Sequence, residues 1–187
     1  GNANVSTLAC NQPSGYVSND DDCNDNLITY TDNDGDGFGY GSPVPCGVGN
    51  HDDSNDGLVT YYDGDGDGYG AGDPTPSGVG EGGDCNDNLV TYNDGDGDGY
   101  GSGNPVPCGV GNNEDCDDLH FTYTDADGDS YGAGGPAPCG VMNHDDCDDL
   151  HLSYTDADGD GYGSGSPMPC GVSNNNDCND NNAAIHP

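Results

Sequence analysis

The stretch Asp32-Asn33-Asp34-Gly35-Asp36-Gly37-Phe38-Gly39 decides the fold of this chain, because its pattern recurs at a fixed interval, beginning again at Asp63, Asp94, Asp125 and Asp156. Carboxylates stand at the first, third and fifth positions, and the glycines between them let the backbone curl until alternate side chains converge on one cation. Ligation by oxygen alone favours calcium over zinc or copper. Together with the aromatic residue at the seventh position, the predicted loop ligands are Asp32, Asp34, Asp36, Phe38, Asp63, Asp65, Asp67, Tyr69, Asp94, Asp96, Asp98, Tyr100, Asp125, Asp127, Asp129, Tyr131, Asp156, Asp158, Asp160 and Tyr162.

An uninterrupted period of this length predicts a tandem-repeat protein. We expect at least one calcium ion per 31-residue repeat. The predicted boundaries are an N-terminal arm and cap half-unit at 1–31, four repeats at 32–62, 63–93, 94–124 and 125–155, and a fifth repeat with a C-terminal half-unit at 156–187.

The composition limits what such an array can do. The chain has 36 acidic residues, no lysine or arginine, and a formal charge of −36, so divalent ions must neutralise it or it stays expanded. Nucleic acid and insertion into membranes are excluded as partners, since nothing here neutralises a phosphate and no apolar run is long enough. Only 29% of residues are hydrophobic, so metal and disulfides must supply the stability that a core normally provides.

The expected fold is a small, irregular tandem-repeat fold: an elongated, calcium-stabilised and disulfide-clipped array of loops and very short β-strands, with almost no helix. Glycine and proline interrupt every helical pattern, which leaves room for at most one helical turn near each Asp-Cys-x-Asp. Short runs rich in β-branched and aromatic residues follow these turns. The strand candidates are 27–30, 58–61, 89–92, 120–123 and 151–154.

The loops alone do not complete a calcium shell. An EF-hand places a bidentate glutamate at the twelfth position, where this chain has Pro43 and its equivalents, so the closing ligand must come from outside the loop. The nearest supply is the acidic turn that precedes each loop, as Asp25 precedes Asp32. Alternatively, these aspartates only cap turns and keep the surface soluble. The two acidic columns are Asp22, Asp53, Asp84, Asp115, Asp146 and Asp177, and Asp25, Asp56, Asp87, Asp118, Asp149 and Asp180.

Ten cysteines indicate an oxidising compartment and disulfides. A secreted product whose signal peptide has been removed and a fragment of a longer repeat protein both fit the sequence. Spacing predicts local pairs Cys108/Cys116, Cys139/Cys147 and Cys170/Cys178, and a longer Cys10/Cys23 loop. Cys46 and Cys85 face serines, Ser54 and Ser77, in this register. They are therefore expected to pair with each other, either within one chain or between two.

The loops resemble thrombospondin type 3 calcium repeats. The run Cys10 to Asn19, the turn Asp22-Cys23-Asn24-Asp25, and the end Asp177 to Pro187 resemble the MopE-type metal-binding motif of bacterial surface proteins. The MopE resemblance covers nearly the whole chain. It implies a secreted or cell-surface protein, and it implies copper.

These features predict an extracellular structural calcium-binding protein, the subunit of a surface filament or fibre that self-associates. The alternative is a secreted module for metal binding (calcium or copper) or for adhesion. Histidines at matching phases, His120 with His151 and His51 with His144, could hold copper or zinc, or could simply occupy structural positions. We expect no enzyme, because no activated nucleophile stands out and nothing could build an apolar pocket around a carboxyl group.

Overall fold

A computed structural model describes residues 21–187; the predicted N-terminal arm and Cys10 lie outside this part. The described chain contains ten short strands and no helix, arranged as five antiparallel two-stranded hairpins: β1–β2, β3–β4, β5–β6, β7–β8 and β9–β10. The strands are β1 Thr29–Thr31, β2 Tyr40–Val44, β3 Thr60–Tyr62, β4 Ala71–Thr75, β5 Thr91–Asn93, β6 Ser102–Val106, β7 Thr122–Thr124, β8 Ala133–Ala137, β9 Ser153–Thr155 and β10 Ser164–Met168.

Each hairpin pairs a short first strand with a longer second one. In the first, Thr29 lies opposite Val44 and Thr31 opposite Tyr40, so the second strand bulges between them. Gly41 lies in this bulge with φ of 84°, a backbone conformation that favours glycine. Pro43 is tolerated here because a proline in an edge strand leaves no ladder donor missing. The aspartate loop connects the two strands, which fixes both of its ends.

Tyr30 and Val48, which recur at the same phase in every repeat of the described chain, form the two halves of one backbone bridge. The amide of Tyr30 donates to the carbonyl of Val48 at 2.8 Å, and the amide of Val48 donates back at 3.0 Å; the tyrosine and valine of the other four repeats form the same bridge. A Cβ at Gly47 would overlap the carbonyl of Tyr30, so only glycine fits between Cys46 and Val48. The short first strand is thus held on both sides.

No apolar side chain is buried in the described residues. The buried positions are instead hydroxyl residues of the first strands, and Thr29 Oγ1 donates to the carbonyl of Val44 at 2.7 Å. The buried hydroxyl residues are Thr29, Thr60, Thr91, Thr122 and Ser153. The predicted fold class, a small repeat fold of loops and short strands without helix, is confirmed.

The strands begin later than predicted, at Thr29 rather than at Leu27 in the first hairpin. Leu27 belongs to the preceding turn, where its amide donates to the carbonyl of Asn24 at 3.0 Å, and its side chain is 47% exposed. The proline-containing segment after each loop, such as Tyr40–Val44, forms the second strand of the hairpin.

The predicted disulfide pairing is wrong. The structure pairs cysteines at a sequence separation of 23, with Cα–Cα distances of 5.1 to 5.2 Å, as Cys23–Cys46, Cys85–Cys108, Cys116–Cys139 and Cys147–Cys170. The expected pairs Cys10/Cys23, Cys108/Cys116, Cys139/Cys147, Cys170/Cys178 and Cys46/Cys85 do not form, and Cys178 is a free, exposed thiol.

The fold of the hairpin explains why cysteines pair at a separation of 23 residues. It folds back so that the amide of Cys85 donates to the carbonyl of Pro107 at 2.8 Å, next to Cys108. The closely spaced cysteines, such as Cys108 and Cys116, therefore serve successive hairpins. Ser54 and Ser77, which occupy the two positions that the other hairpins bridge, are the two halves of one absent disulfide.

We call the 31-residue segments that start at the first cysteine position modules 1 to 5: 23–53, 54–84, 85–115, 116–146 and 147–177. Each contains one hairpin and one aspartate loop, and every module except module 2 has its disulfide.

The backbone divides into two compact units. The first comprises the described residues up to Val90 together with Pro105–Cys108, and contains the hairpins β1–β2 and β3–β4. The second comprises Thr91–Asn104 and Gly109–Pro187, and contains β7–β8 and β9–β10. Residues 21–187 include no apolar helix of membrane-spanning length.

Ser130 is the one non-glycine residue with positive φ in the described chain, at 77°. Its equivalent in module 5, Gly161, has φ of 90° and open space where a Cβ would stand. Ser130→Gly should therefore raise the free energy of unfolding of module 4 by about 1 kcal/mol, because a left-handed conformation strains an L-residue. Denaturant unfolding followed by hydrogen exchange measures this. The matched variant Gly161→Ser should lower the stability of module 5 by a similar amount; the same sign for both variants would contradict the explanation.

Candidate metal centres

Each aspartate loop is curled by its own first carboxylate. Asp32 Oδ1 accepts the amide of Gly35 at 2.7 Å, and Oδ2 accepts the amide of Gly37 at 3.2 Å. The backbone therefore turns around this side chain, and positions one, three, five and seven face inward while the residues between them are exposed. The same two contacts recur in the other four loops.

The curled loop groups its carboxylates tightly. In modules 1 to 4 one oxygen from each of the three loop aspartates lies within 4.8 Å of the others. These triplets are Asp32, Asp34 and Asp36; Asp63, Asp65 and Asp67; Asp94, Asp96 and Asp98; and Asp125, Asp127 and Asp129. In module 5 Asp156 and Asp158 are grouped with Asp180, so there an aspartate of the next turn joins the cluster.

The turn that closes each cluster is the one that follows the loop, not the one that precedes it. The amide of Asp53 donates to the carbonyl of Gly39, the last residue of the first loop, at 3.3 Å. The other four modules repeat this bond at 3.0 to 3.1 Å. Asp53, 6% exposed, is thereby held against the loop that starts at Asp32. The closing aspartates are Asp53, Asp84, Asp115, Asp146 and Asp177.

Three carboxylate oxygens in every module are buried and have no hydrogen-bond partner. They are the Oδ2 atoms of the second and third loop aspartates and of the closing aspartate, in all five modules. Asp34, Asp36 and Asp53 illustrate the pattern: each Oδ1 accepts a backbone amide, at 3.3, 2.8 and 2.8 Å, and each Oδ2 accepts nothing. Buried anionic oxygens without donors are costly, so their convergence indicates a site shaped for a cation.

The second acidic column, which consists of Asp56 and its equivalents, makes different contacts. Asp56 Oδ1 accepts the amide of Asn33 at 2.9 Å, and its equivalents contact the second loop residue of modules 2 to 5 in the same way. The hydrogen bond from the amide of Gly95, with that from Asn93, lowers the pKa of Asp118. This column orients the loop, and in module 5 its member Asp180 is also grouped directly with loop carboxylates.

Asp22 and Asp25 of the first turn lie beside no aspartate loop within the described chain. One repeat length before the first aspartate loop, the sequence has an equivalent stretch that begins at Gly1. Its third and fifth positions hold Ala3 and Val5. Asp22 still accepts the amide of Asn24 at 2.9 Å, the turn contact made by every closing aspartate. The first turn thus has the conformation of a closing turn, but the sequence before it lacks the aspartate triplet.

Sequence reasoning missed an asparagine clamp. Asn50 Oδ1 accepts the amide of Gly39 at 3.3 Å, and its Nδ2 donates to the carbonyl of Gly37 at 3.2 Å. Asn112 and Asn174 make the same pair of contacts. The signal was present, because asparagine recurs at this phase of the 31-residue period in four modules. At the predicted seventh position, the amide of Phe38 donates to Asp36.

The histidines make other contacts. His120 and His151 sit at the phase of Leu27 and pair with Asp117 and Asp148 at 3.0 Å, on the surface. His51 and His144 contact the bulge glycine carbonyls of Gly41 and Gly134 and pack against tyrosine rings. These contacts give each histidine a structural role.

Comparison of the chain with family models, with curated proteins and with solved structures gave no match. The resemblance to MopE-type and thrombospondin type 3 repeats therefore stays an expectation drawn from the residues quoted above. The function proposed for the chain therefore depends on the geometry of its aspartate clusters.

The clusters fit a metal ion. In each module the closing turn is hydrogen-bonded to the end of the loop, and the Oδ2 atom of the closing aspartate is buried and unpaired like those of the second and third loop aspartates. Removal from water raises the pKa of Asp36, Asp65, Asp96, Asp127 and Asp158 above 3.8, and the neighbouring carboxylates, the closing aspartate among them, raise it further. A bound cation would relieve both effects. The multiple disulfides, in turn, indicate an oxidising, extracellular environment.

These pKa shifts predict how the metal-free protein responds to acid. A carboxyl group with a raised pKa in the folded state contributes stability that is fully present below 3.8 and is lost as pH rises through the raised pKa. Protein stripped of ions on a chelating resin should therefore gain hydrogen-exchange protection as pH falls from neutral towards about 4. With excess cation the trend should reverse, because protons compete for the ligands. Loss of protection on acidifying the stripped protein would contradict the prediction.

Proposed function

We propose that this protein is an extracellular structural calcium-binding repeat protein that binds at least one calcium ion in each module. The supporting observation is the set of buried, unpaired carboxylate oxygens, three in each of the five modules. Hard anionic oxygens suit calcium and magnesium better than copper or zinc. The flexible glycine-rich loop and the number of available oxygens favour calcium, which accepts six to eight ligands in variable geometry.

A structural role follows from repetition. The same cluster occurs five times with the same backbone contacts, as a structural element requires and a single catalytic centre does not. Since no apolar side chain is buried in the described chain, closure of modules 1, 3, 4 and 5 depends on the disulfide and on the cation, and closure of module 2 depends on the cation. The cation therefore takes the place of the core, and the aspartates are assigned to binding rather than to catalysis.

Self-association into a surface filament is part of the proposal. It is supported by the regular repeat and by large apolar side chains that stay on the surface, such as Leu119, Leu150 and Met142, which are 77%, 75% and 66% exposed. Electron microscopy with calcium should show assembled material that chelator disperses. Monomers under both conditions would remove this part of the proposal and leave calcium binding intact.

Calorimetric titration of ion-free protein tests the binding directly. We expect at least five calcium ions per chain, and one fewer in the triple variant Asp94→Asn, Asp96→Asn, Asp98→Asn. The control is His120→Leu with His151→Leu, which installs the residue present at Leu27 and should leave the ion count unchanged. If the histidine variant loses an ion, or if the native chain binds copper but no calcium, the proposal is wrong.

A further inference from the structure

Module 2 is the only module of the described chain whose cysteine positions hold serines. Ser54 and Ser77 occupy the places of Cys85 and Cys108 in module 3, and the backbone contact there is the same. The amide of Ser54 donates to the carbonyl of Pro76 at 2.8 Å, as the amide of Cys85 donates to Pro107 at 2.8 Å. Module 2 therefore lacks the disulfide but keeps the backbone contact that lies beside the disulfide in module 3.

Module 2 lacks the asparagine clamp, as module 4 does. Glu81 replaces Asn50, and its backbone carbonyl accepts the amide of Gly70 at 2.8 Å, as the backbone carbonyl of Asn143 accepts the amide of Gly132 at 2.9 Å. The two glycines that follow, Gly82 and Gly83, stand where module 1 has His51 and Asp52, and Gly83 has φ of 98°. Glycines enlarge the conformational freedom of the open state, so they favour opening further.

The cation site of module 2 is nevertheless complete. Asp63, Asp65 and Asp67 are grouped within 4.8 Å, and the amide of the closing residue Asp84 donates to Gly70 at 3.1 Å, with the Oδ2 of Asp84 buried and unpaired. Modules 1, 3, 4 and 5 are each held closed twice, by the disulfide and by the cation site. In module 2 the cation site stands without a disulfide.

We propose that module 2 is a cation-controlled opening point, the first module to unfold as the free cation concentration falls. The inference rests on the proposed calcium binding. A disulfide that closes a loop of this length stabilises by an amount equivalent to roughly a hundredfold in the folding equilibrium. A bound ligand stabilises in proportion to the logarithm of its concentration. Module 2 therefore needs on the order of a hundredfold more free cation than modules 3 and 4 to remain half folded.

Hydrogen exchange of the full chain across a series of buffered free calcium concentrations tests the proposal. Peptides from 54–84 should lose protection at a concentration about a hundredfold above the midpoint for 116–146. Ser54→Cys with Ser77→Cys, its new bond verified by mass spectrometry, should lower the midpoint of module 2 about a hundredfold, towards that of module 4. The converse variant, Cys116→Ser with Cys139→Ser, should raise the midpoint of module 4 by about the same factor, and it serves if the first variant does not fold.

The outcomes separate this inference from the proposed function. If all modules of the native chain share one midpoint, or if a verified new disulfide leaves module 2 unchanged, the opening point does not exist although calcium binding stands. If protection is independent of calcium in every module and no calcium is taken up, the proposed function itself fails, and this inference fails with it.

Discussion

Removal of divalent cations should expand the protein strongly, although its disulfides should keep it smaller than a fully denatured chain. The formal charge is −36; five divalent cations contribute ten positive charges and leave −26, so the stripped chain repels itself far more. No buried apolar cluster in the described residues opposes that repulsion. Small-angle scattering in excess chelator should show a radius of gyration that rises towards, but stays below, the roughly 46 Å of a denatured chain of this length. The four disulfides hold it below that limit.

Reduction supplies the control for this experiment. Chelator together with a reductant should bring the radius to the denatured value, whereas reductant in saturating calcium should change it little. Raised salt should shrink the stripped chain, because the repulsion is between exposed charges. A scattering curve that chelator leaves unaltered would show that the carboxylate clusters are not what holds the chain together.

Replacement of one closing aspartate should change the stability of its module in opposite directions with and without calcium. Asp115→Asn keeps the size of the side chain and removes one of the four charges that meet at the site. In the ion-free protein it relieves repulsion on Asp96, whose pKa Asp115 helps to raise, so module 3 should become more stable. In calcium the site loses a ligand charge, and its affinity should fall at least about a hundredfold. Calorimetry and hydrogen exchange of module 3 measure the two effects.

Asp22→Asn is the matched control for this variant. Asp22 makes the same turn contact as Asp115 but faces no aspartate loop in the described chain, so its replacement should affect neither the ion count nor any module. Equal effects of the two variants would mean that the turn contact, rather than the cation, accounts for the role of Asp115.

The repeat, the lack of helix in residues 21–187 and the clustering of the loop carboxylates were predictable, because each depends on residues close together in sequence. Pairing between distant residues was harder. Cysteine positions in this array recur at a short spacing, as from Cys108 to Cys116, and at a longer one, as from Cys85 to Cys108. Both are equally regular, and only the reversal of the chain at each hairpin selects the longer spacing. Ser54 and Ser77 indicate the longer spacing. At that spacing the two serines replace the cysteines of one disulfide, whereas at the shorter spacing they would remove two separate disulfides.

The acidic turns were predicted to complete the loop that follows them, whereas the structure places Asp53 and its equivalents against the loop that precedes them. In a periodic array every acidic turn precedes one loop and follows another, so phase alone cannot distinguish them. The hydrogen bond between Asp53 and Gly39 makes the distinction, and it depends on the course of the backbone after β2. The contacts of Asn50 with Gly37 and Gly39 depend on the same return of the backbone towards the loop.

The overlapping closures also determine how the chain would respond to tension. A disulfide removes the stretch it spans from the length that can be pulled out, so a module without its cation lengthens only by the segment between Cys46 and Ser54, or its equivalent, on the order of 30 Å. Module 2, without a disulfide, would release its whole length, about 100 Å of contour. A protein anchored at both ends would thus lengthen by one long step, in module 2, and by several short steps in the other modules. The calcium concentration would set the force at which each step begins.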